Sequence, residues 1–250
     1  VVGKMLLRNQ DVVTPEQKIK ICVIEHMRSK ELITPDDTVL SEFTVDGYSR
    51  RADLVLIQKS GLVAIEIKSE SDSLSRLKGQ TEKYLDFFDK VIVVTVGKHL
   101  KNAAKQLPLN VALWECNTDS VRVIQRGRKK AITDKVNLLR HLRSRELSVI
   151  ATKYGYKSTR RDRKSLELFL LGQSVKILRH ELILCMKKRY LLISKNFWSS
   201  VNGAPITASV LERLSFSGSA KVSRRKDELA VFLSNLNFAA ESMSAERCEP

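Results

Sequence analysis

A chain of 250 residues with 43% hydrophobic content is long enough for one large or two smaller domains with a real core. Its four cysteines form no CxxC pair, which argues against a structural zinc site or thioredoxin-like chemistry; reduced thiols and a cytoplasmic location are expected. The formal charge of +16 is uneven: residues 1–125 hold 18 Lys/Arg against 17 Asp/Glu, whereas residues 126–250 hold 26 against 11, so a nearly neutral half joins one suited to a polyanion.

No signal-peptide pattern opens the chain. The most apolar stretch, 166–193, is interrupted by Lys176, Arg179, Glu181 and Lys187-Lys188-Arg189. Such charges are costly in lipid, so an amphipathic helix is expected there and no membrane partner.

In chain order, a first helix is predicted over 15–30. Thr14 caps it, Pro15 suits its first position, Gln17 completes a capping box, and Ile19, Cys22, Val23, His26 and Met27 form its apolar stripe. Three strands follow at 39–45, 51–57 and 62–68. Asp46-Gly47 is a two-residue turn signal between the first pair, and Lys59-Ser60 before Gly61 marks the second turn. A helix over 74–88 and an apolar strand over 91–96 come next, then strands at 111–114 and 121–124. This is an α/β pattern with a central mixed sheet flanked by helices. After Gly127-Arg128-Lys129-Lys130 the pattern turns mostly helical, at 136–143, 146–154 and 165–193 with a break near Gly172, and again at 224–238. Leu138, Leu139, Leu142, Leu147, Val149 and Ile150 suit a helical core there. Domains are therefore expected at 1–125 and 126–250.

The second hairpin carries the chemistry. Its two apolar runs are interrupted only at Asp53, Glu66 and Lys68. A turn at Lys59-Ser60 sets Gln58 against Gly61 and, counting outward, Asp53 against Glu66, with Cβ atoms roughly 4.5–5.5 Å apart. Lys68 shares the face of Glu66 and lies opposite Arg51. A turn at Asp46-Gly47 sets Leu40 against Asp53 and Glu42 against Arg51, so that Glu42 is diagonal to Asp53; one slipped residue would spoil either count. Paired carboxylates need a cation or a proton, and hard oxygen donors suit Mg²⁺ or Mn²⁺. Glu42, Asp53 and Glu66 are the candidate metal ligands. Lys68 suits the role of orienting a water or stabilising developing negative charge.

Further along, Gln80 and Tyr84 share one helical face. Gln80 is placed to hold Lys68, a water or a phosphate, with Tyr84 in support or packed in the core. Glu25, on the first helix, is either a supporting contact or part of a solvated face. Trp114 and Trp198 are read as packing residues, although both side chains are capable of base stacking.

These residues resemble the PD-(D/E)xK nuclease superfamily, whose restriction-endonuclease-like fold the α/β pattern matches. Asp53 falls on its metal-binding aspartate, Glu66-Ile67-Lys68 on its acid-x-lysine strand and Glu42 on an upstream metal-associated acid. Gln80 through Tyr84 resembles the glutamine–tyrosine motif of RecB-like members, and the arrangement is similar to the sce7726-like group. Ala52 stands where the superfamily has proline. The resemblance covers roughly residues 16–115 and implies divalent-metal-dependent cleavage of nucleic-acid phosphodiesters, with Asp53, Glu66, Lys68 and Gln80 as catalytic residues.

Candidate phosphate contacts are Arg51, Arg76 and Lys78 near the hairpin, then Arg126, Arg128, Lys129 and Lys130, and then Lys157, Arg160, Arg161, Arg163 and Lys164, from a stretch (126–195) with 20 Lys/Arg and five acids. The expected partner is DNA, in a homodimer or a larger DNA-processing complex. The alternative is a non-catalytic DNA-binding or complex-assembly protein using a nuclease-like fold.

Overall fold

The computed structural model describes residues 13–45, 50–118 and 120–214. Helix α1 (Pro15–Ser29) opens as its sequence dictates. Thr14 accepts the Gln17 N–H at 3.2 Å, and the Gln17 side chain accepts the Thr14 N–H at 2.8 Å, with Pro15 at the first helical position. Its buried face consists of Ile19, Val23, Ile24 and Met27, and it includes one charged residue, Lys20.

Six strands form one mixed sheet whose spatial order follows the chain: β1 (Thr38–Val45), β2 (Arg50–Gln58), β3 (Gly61–Lys68), β4 (Lys90–Thr95), β5 (Ala112–Cys116) and β6 (Val121–Gln125). β1 to β3 are an antiparallel meander, β3–β4 and β4–β5 run parallel, and β6 returns antiparallel. Each parallel step needs a crossover. Helix α2 (Leu77–Phe87) supplies the first, beginning three residues later than the expected start at Leu74. Helix α3 (Gly97–Gln106) supplies the second. The sequence reading does not anticipate α3, a short and largely polar helix whose stripe is Leu100, Ala103 and Ala104.

The β2–β3 register matches expectation, from Gln58↔Gly61 to Leu54↔Ile65. The β1–β2 register does not. Val45 pairs with Arg50 and Leu40 with Val55, so Leu40 does not face Asp53. Residues 46–49, where the Asp46-Gly47 turn is expected, lie outside the described residues. The shift of two residues preserves which face each side chain occupies, and it moves Glu42 from the diagonal to a position level with Asp53. That step of the ladder is skipped, and Glu42 has φ 57°, a conformation uncommon outside glycine.

Beyond the sheet lie α4 (Lys135–Arg140), α5 (Ser144–Lys153), α6 (Arg163–Leu171), α7 (Val175–Arg189), α8 (Leu191–Ser200) and α9 (Ala208–Arg213). The long apolar stretch breaks near Gly172 as expected and again at Tyr190. The helix expected over 224–238 lies outside the described residues. Leu138, Leu139, Leu142, Leu147 and Ile150 are buried, but Val149 is 68% exposed, because it falls on the solvent face of α5. No described helix is long and apolar enough to cross a membrane.

These helices pack on the sheet through specific polar ties. The Leu214 carbonyl accepts the Ser41 N–H on β1, and Trp198 donates its indole N–H to the Asp37 carbonyl at 2.7 Å. His141 is buried with Nε2 2.8 Å from the Phe87 carbonyl oxygen, and burial pushes its pKa down to about 4. The densest tie is Asp89, just before β4. Its carboxylate accepts the Leu62 N–H at 2.7 Å, the Ile132 N–H at 2.9 Å and the Arg179 guanidinium of α7 at 2.6 Å, and its own carbonyl accepts the Lys130 N–H at 2.8 Å. Gly61 has φ +139°, and a Cβ there would lie 2.2 Å from Asp89 Oδ2. Only glycine fits both the backbone and the space.

Replacing Asp89 with alanine strands Arg179 and two backbone donors, and the expected loss is about 3–5 kcal/mol. Gly61→Ala adds backbone strain and overlap, for an expected loss of about 2–4 kcal/mol. Urea denaturation of the full chain checks both. Losses below ~1 kcal/mol would show that Asp89 does not pin the β2–β3 turn.

Candidate active site

The site forms where pairing gives way on both sides of β2. On one side the β1–β2 ladder skips Glu42 and Asp53, and on the other the β2–β3 ladder stops at Leu54↔Ile65. The Asp53 carboxylate takes up the freed valence, accepting the Ile67 N–H at 2.6 Å. It is therefore held between β2 and β3, one residue from both Glu66 and Lys68.

Glu66 and Lys68 are 3% and 7% exposed, and their heads are fully engaged. The Lys68 ammonium donates to Glu66 Oε1 at 2.8 Å and to Gln80 Oε1 at 3.1 Å. The amide of Gln80 donates in turn to Glu66 Oε1 at 2.6 Å. Tyr84, one turn further along α2, places its hydroxyl 2.9 Å from Glu66 Oε2 and 2.7 Å from the Arg51 carbonyl oxygen. The four side chains thus form one closed network, and α2 sets its geometry through the Gln80–Tyr84 spacing.

A second group of acids lies beside it. Ligand atoms of Glu16, Glu42 and Asp53 fall within 4.8 Å of one another, a spacing that a small divalent cation can bridge. Glu66 does not belong to this group, because its oxygens are turned to Lys68, Gln80 and Tyr84. Two cations lie against the acids. Lys20, 5% exposed, pairs with Glu16 at 2.7 Å and with Glu42, and lies 3.4 Å from Ser41 Oγ. Arg51 pairs with the other Glu42 oxygen at 2.5 Å. Burial alone would lower the Lys20 pKa, but its bonds to Glu16 and Glu42 outweigh that and hold it raised. Burial, and then the nearby Glu66 charge, push Asp53 up to about 8 against the opposing pull of the Ile67 N–H and Lys20.

Glu16 and Lys20 are absent from the sequence-derived site. Glu16 reads there as an ordinary first-turn acid, favourable at a helix N-terminus. The available signal is Lys20 itself, a charge on the same face as the buried Val23, Ile24 and Met27. Glu25 does not join the cluster. It pairs with Arg28 and accepts the Ile206 N–H at 2.8 Å, which ties α1 to the segment before α9.

Of the basic candidates, only Arg51 touches the acids. Arg76 is exposed at the start of α2, and Lys78 is exposed 4.0 Å from Glu82. Arg126, Arg128, Lys129 and Lys130 are exposed in the segment after β6, with Lys129 on Ser60 Oγ at 2.7 Å. Lys157, Arg160, Arg161 and Lys164 are exposed around the α5–α6 connection. Arg163 is half-buried and holds the carbonyls of Leu139 and Leu142. Trp114 is buried edge-on to His26.

Fold and site together define an α/β protein with a six-stranded mixed sheet, flanking helices and a carboxylate–lysine cluster at a break in its strand pairing. The chain belongs to the Bacteriophage P4 protein cII family, whose pattern matches residues 9–215. Protein cII of Enterobacteria phage P4 is 34% identical over 223 residues, covering 87% of this chain and 82% of that protein. Solved structures with similarity include the SPO1766 protein of unknown function from Silicibacter pomeroyi, at 15% identity and TM-score 0.41, covering 60% of this chain and 99% of that one. Another is SfsA of Pyrococcus furiosus in complex with Ca²⁺, at 16% identity and TM-score 0.25, covering 45% and 61%.

The raised Asp53 pKa has a signed consequence for stability. From its ordinary value of 3.8 up to about 8 the folded protein holds a proton that the unfolded chain has lost, so metal-free protein becomes less stable as pH rises through that window. Urea midpoints in EDTA between pH 4 and 8 should fall for the native chain and run flatter for Asp53→Asn. Parallel profiles for the two proteins would contradict this assignment.

Proposed function

We propose that this protein is a divalent-metal-dependent deoxyribonuclease of the PD-(D/E)xK type, with a RecB-like glutamine–tyrosine helix and kinship to the sce7726-like group. The observation that carries the proposal is the convergence of residues far apart in sequence: Glu66, Lys68, Gln80 and Tyr84 are joined in one hydrogen-bonded network, and Asp53 is held beside it by the Ile67 N–H.

The donor set fits Mg²⁺ or Mn²⁺: three carboxylates from α1, β1 and β2 with oxygens close enough to share one ion, and hard oxygen chemistry throughout. Glu16, Glu42 and Asp53 would hold the ion. When bound, a divalent ion stabilises charge developing on the phosphoryl group. Asp53 is steered toward that role by the Ile67 N–H, which fixes one of its oxygens. Lys68 sits within two residues of Glu66 and keeps its charge aimed by Glu66 and Gln80, suited to orient an attacking water or meet negative charge on the phosphate. Tyr84 holds Glu66 from behind. The exposed lysines and arginines of 126–130 and 157–164 suit phosphate contacts that position DNA without reading its bases. Assembly as a homodimer or within a larger DNA-processing complex fits the same role.

One observation favours the second reading, a non-catalytic DNA-binding or assembly protein. Lys20 and Arg51 already neutralise Glu42, and Lys20 reaches Glu16 as well, so part of the acid cluster is balanced without a metal.

A panel of linear, nicked, branched and single-stranded DNA, incubated with Mg²⁺, Mn²⁺ or EDTA, separates the two. Nuclease action predicts metal-dependent cleavage that falls at least ~100-fold in Asp53→Ala and in Lys68→Ala. Calorimetry should show Mn²⁺ binding that weakens about tenfold in Glu16→Gln, the order of effect that ligand-sphere changes produce. Cleavage that survives both Asp53→Ala and Lys68→Ala would falsify the site, and DNA binding without Mn²⁺ uptake would favour the second reading.

A further inference from the structure

A separate cleft lies where the start of β1 meets α7 and α8. Its volume is about 410 Å³, and its walls include Pro35, Thr38, Lys187, Leu191, Lys195 and Trp198. Trp198 is half-buried, and its ring is fixed: the indole N–H donates to the Asp37 carbonyl at 2.7 Å, and Phe197 packs edge-on at 5.1 Å. Ser194 donates to the same carbonyl at 3.2 Å, so this corner of the cleft does not depend on the loop alone. Lys187 is tethered at the rim through the Asp36 carbonyl at 2.8 Å, and Lys195 is exposed.

We infer that this cleft binds single-stranded nucleic acid, with one base stacked on Trp198 and neighbouring phosphates on Lys187 and Lys195. A fixed aromatic wall flanked by ammoniums is the combination that single strands use: every base offers a π-face, and the backbone offers anions. Two lysines against the single carboxylate of Asp36 leave the cleft cationic, on a chain of formal charge +16. Duplex DNA does not fit, because its bases are stacked on each other and leave no face free for the indole. A tethered lysine ammonium still has hydrogens to give, since it carries three donors and Asp36 takes one.

The position of the cleft extends the argument. Thr38 and Glu42 are four residues apart on β1, about 13 Å at the rise of a strand. A strand seated on Trp198 and extended along β1 would reach the carboxylate cluster within a few nucleotides. Binding here does not require cleavage there, so the inference stands apart from the nuclease proposal.

Full-length protein in EDTA, titrated with a labelled oligothymidine of ~15 nucleotides, tests it by anisotropy and tryptophan emission. Trp114 is 4% exposed, so a change in emission reports Trp198. Saturation should quench the emission. Trp198→Ala should weaken single-strand binding roughly 5- to 150-fold, the effect of losing one base–aromatic stack, with a duplex of equal length changed less than about twofold. Lys195→Glu, a substitution in solvent, should weaken binding and lower the salt dependence by about one phosphate contact. If Trp198→Ala does not fold, Lys195→Glu decides. Unchanged emission at saturation, native affinity in the variants, or an equal loss for duplex would each overturn the inference.

Discussion

The site exists because two β-ladders fail at the same residue. Asp53 has no ladder partner on either side, and its carboxylate supplies the acceptor that the Ile67 N–H would otherwise lack. An unpaired buried N–H is costly, so the bond both satisfies the sheet and fixes the carboxylate in the gap between strands. Glu42 is brought to the same level by the opposite ladder, in a strained backbone conformation that regular pairing would not allow. Continuous pairing would leave these acids as ordinary members of a pleated face.

The surrounding charges divide into two systems. Glu66 is satisfied from within by a lysine, an amide and a phenol. Glu16, Glu42 and Asp53 are balanced from outside by Lys20 and Arg51, and Asp53 by protonation as well. Burying several carboxylates together is tolerable only when each is paired or hydrogen-bonded, and each of these is. Arg51 is the more exposed of the two outer cations, with a side chain 67% accessible, so its bond is the weaker restraint.

How much of this was legible depends on distance along the chain. The β2–β3 register was readable from Gln58 to Leu54, because a two-residue turn before Gly61 leaves one register, but the end of pairing before Asp53 and Glu66 was not. The Gln80–Tyr84 pair was readable because helical spacing alone sets its face. The β1–β2 register was not: counting outward from Asp46-Gly47 misses it by two residues, an even error that spares the faces and hides the level position of Glu42. Glu16 was invisible because its role depends on how α1 docks, which no local pattern encodes. Helix α3 is polar on average, so its stripe of Leu100, Ala103 and Ala104 is easily taken for a loop between two strands. The exposure of Val149 shows the same limit in reverse, an apolar residue on a helix face that happens to look outward.

The bonds of Asp89 bear on attempts to shorten the chain. Ending it where the strand pattern gives way to helices, near residue 125, would remove Ile132 and Arg179 and leave the carboxylate buried with the Leu62 N–H alone. A buried anion so deprived is among the more costly features a small protein can carry. A trimmed fragment bearing the acid cluster intact would then be expected to aggregate or unfold, so loss of activity in such a fragment would say nothing about which half performs the chemistry.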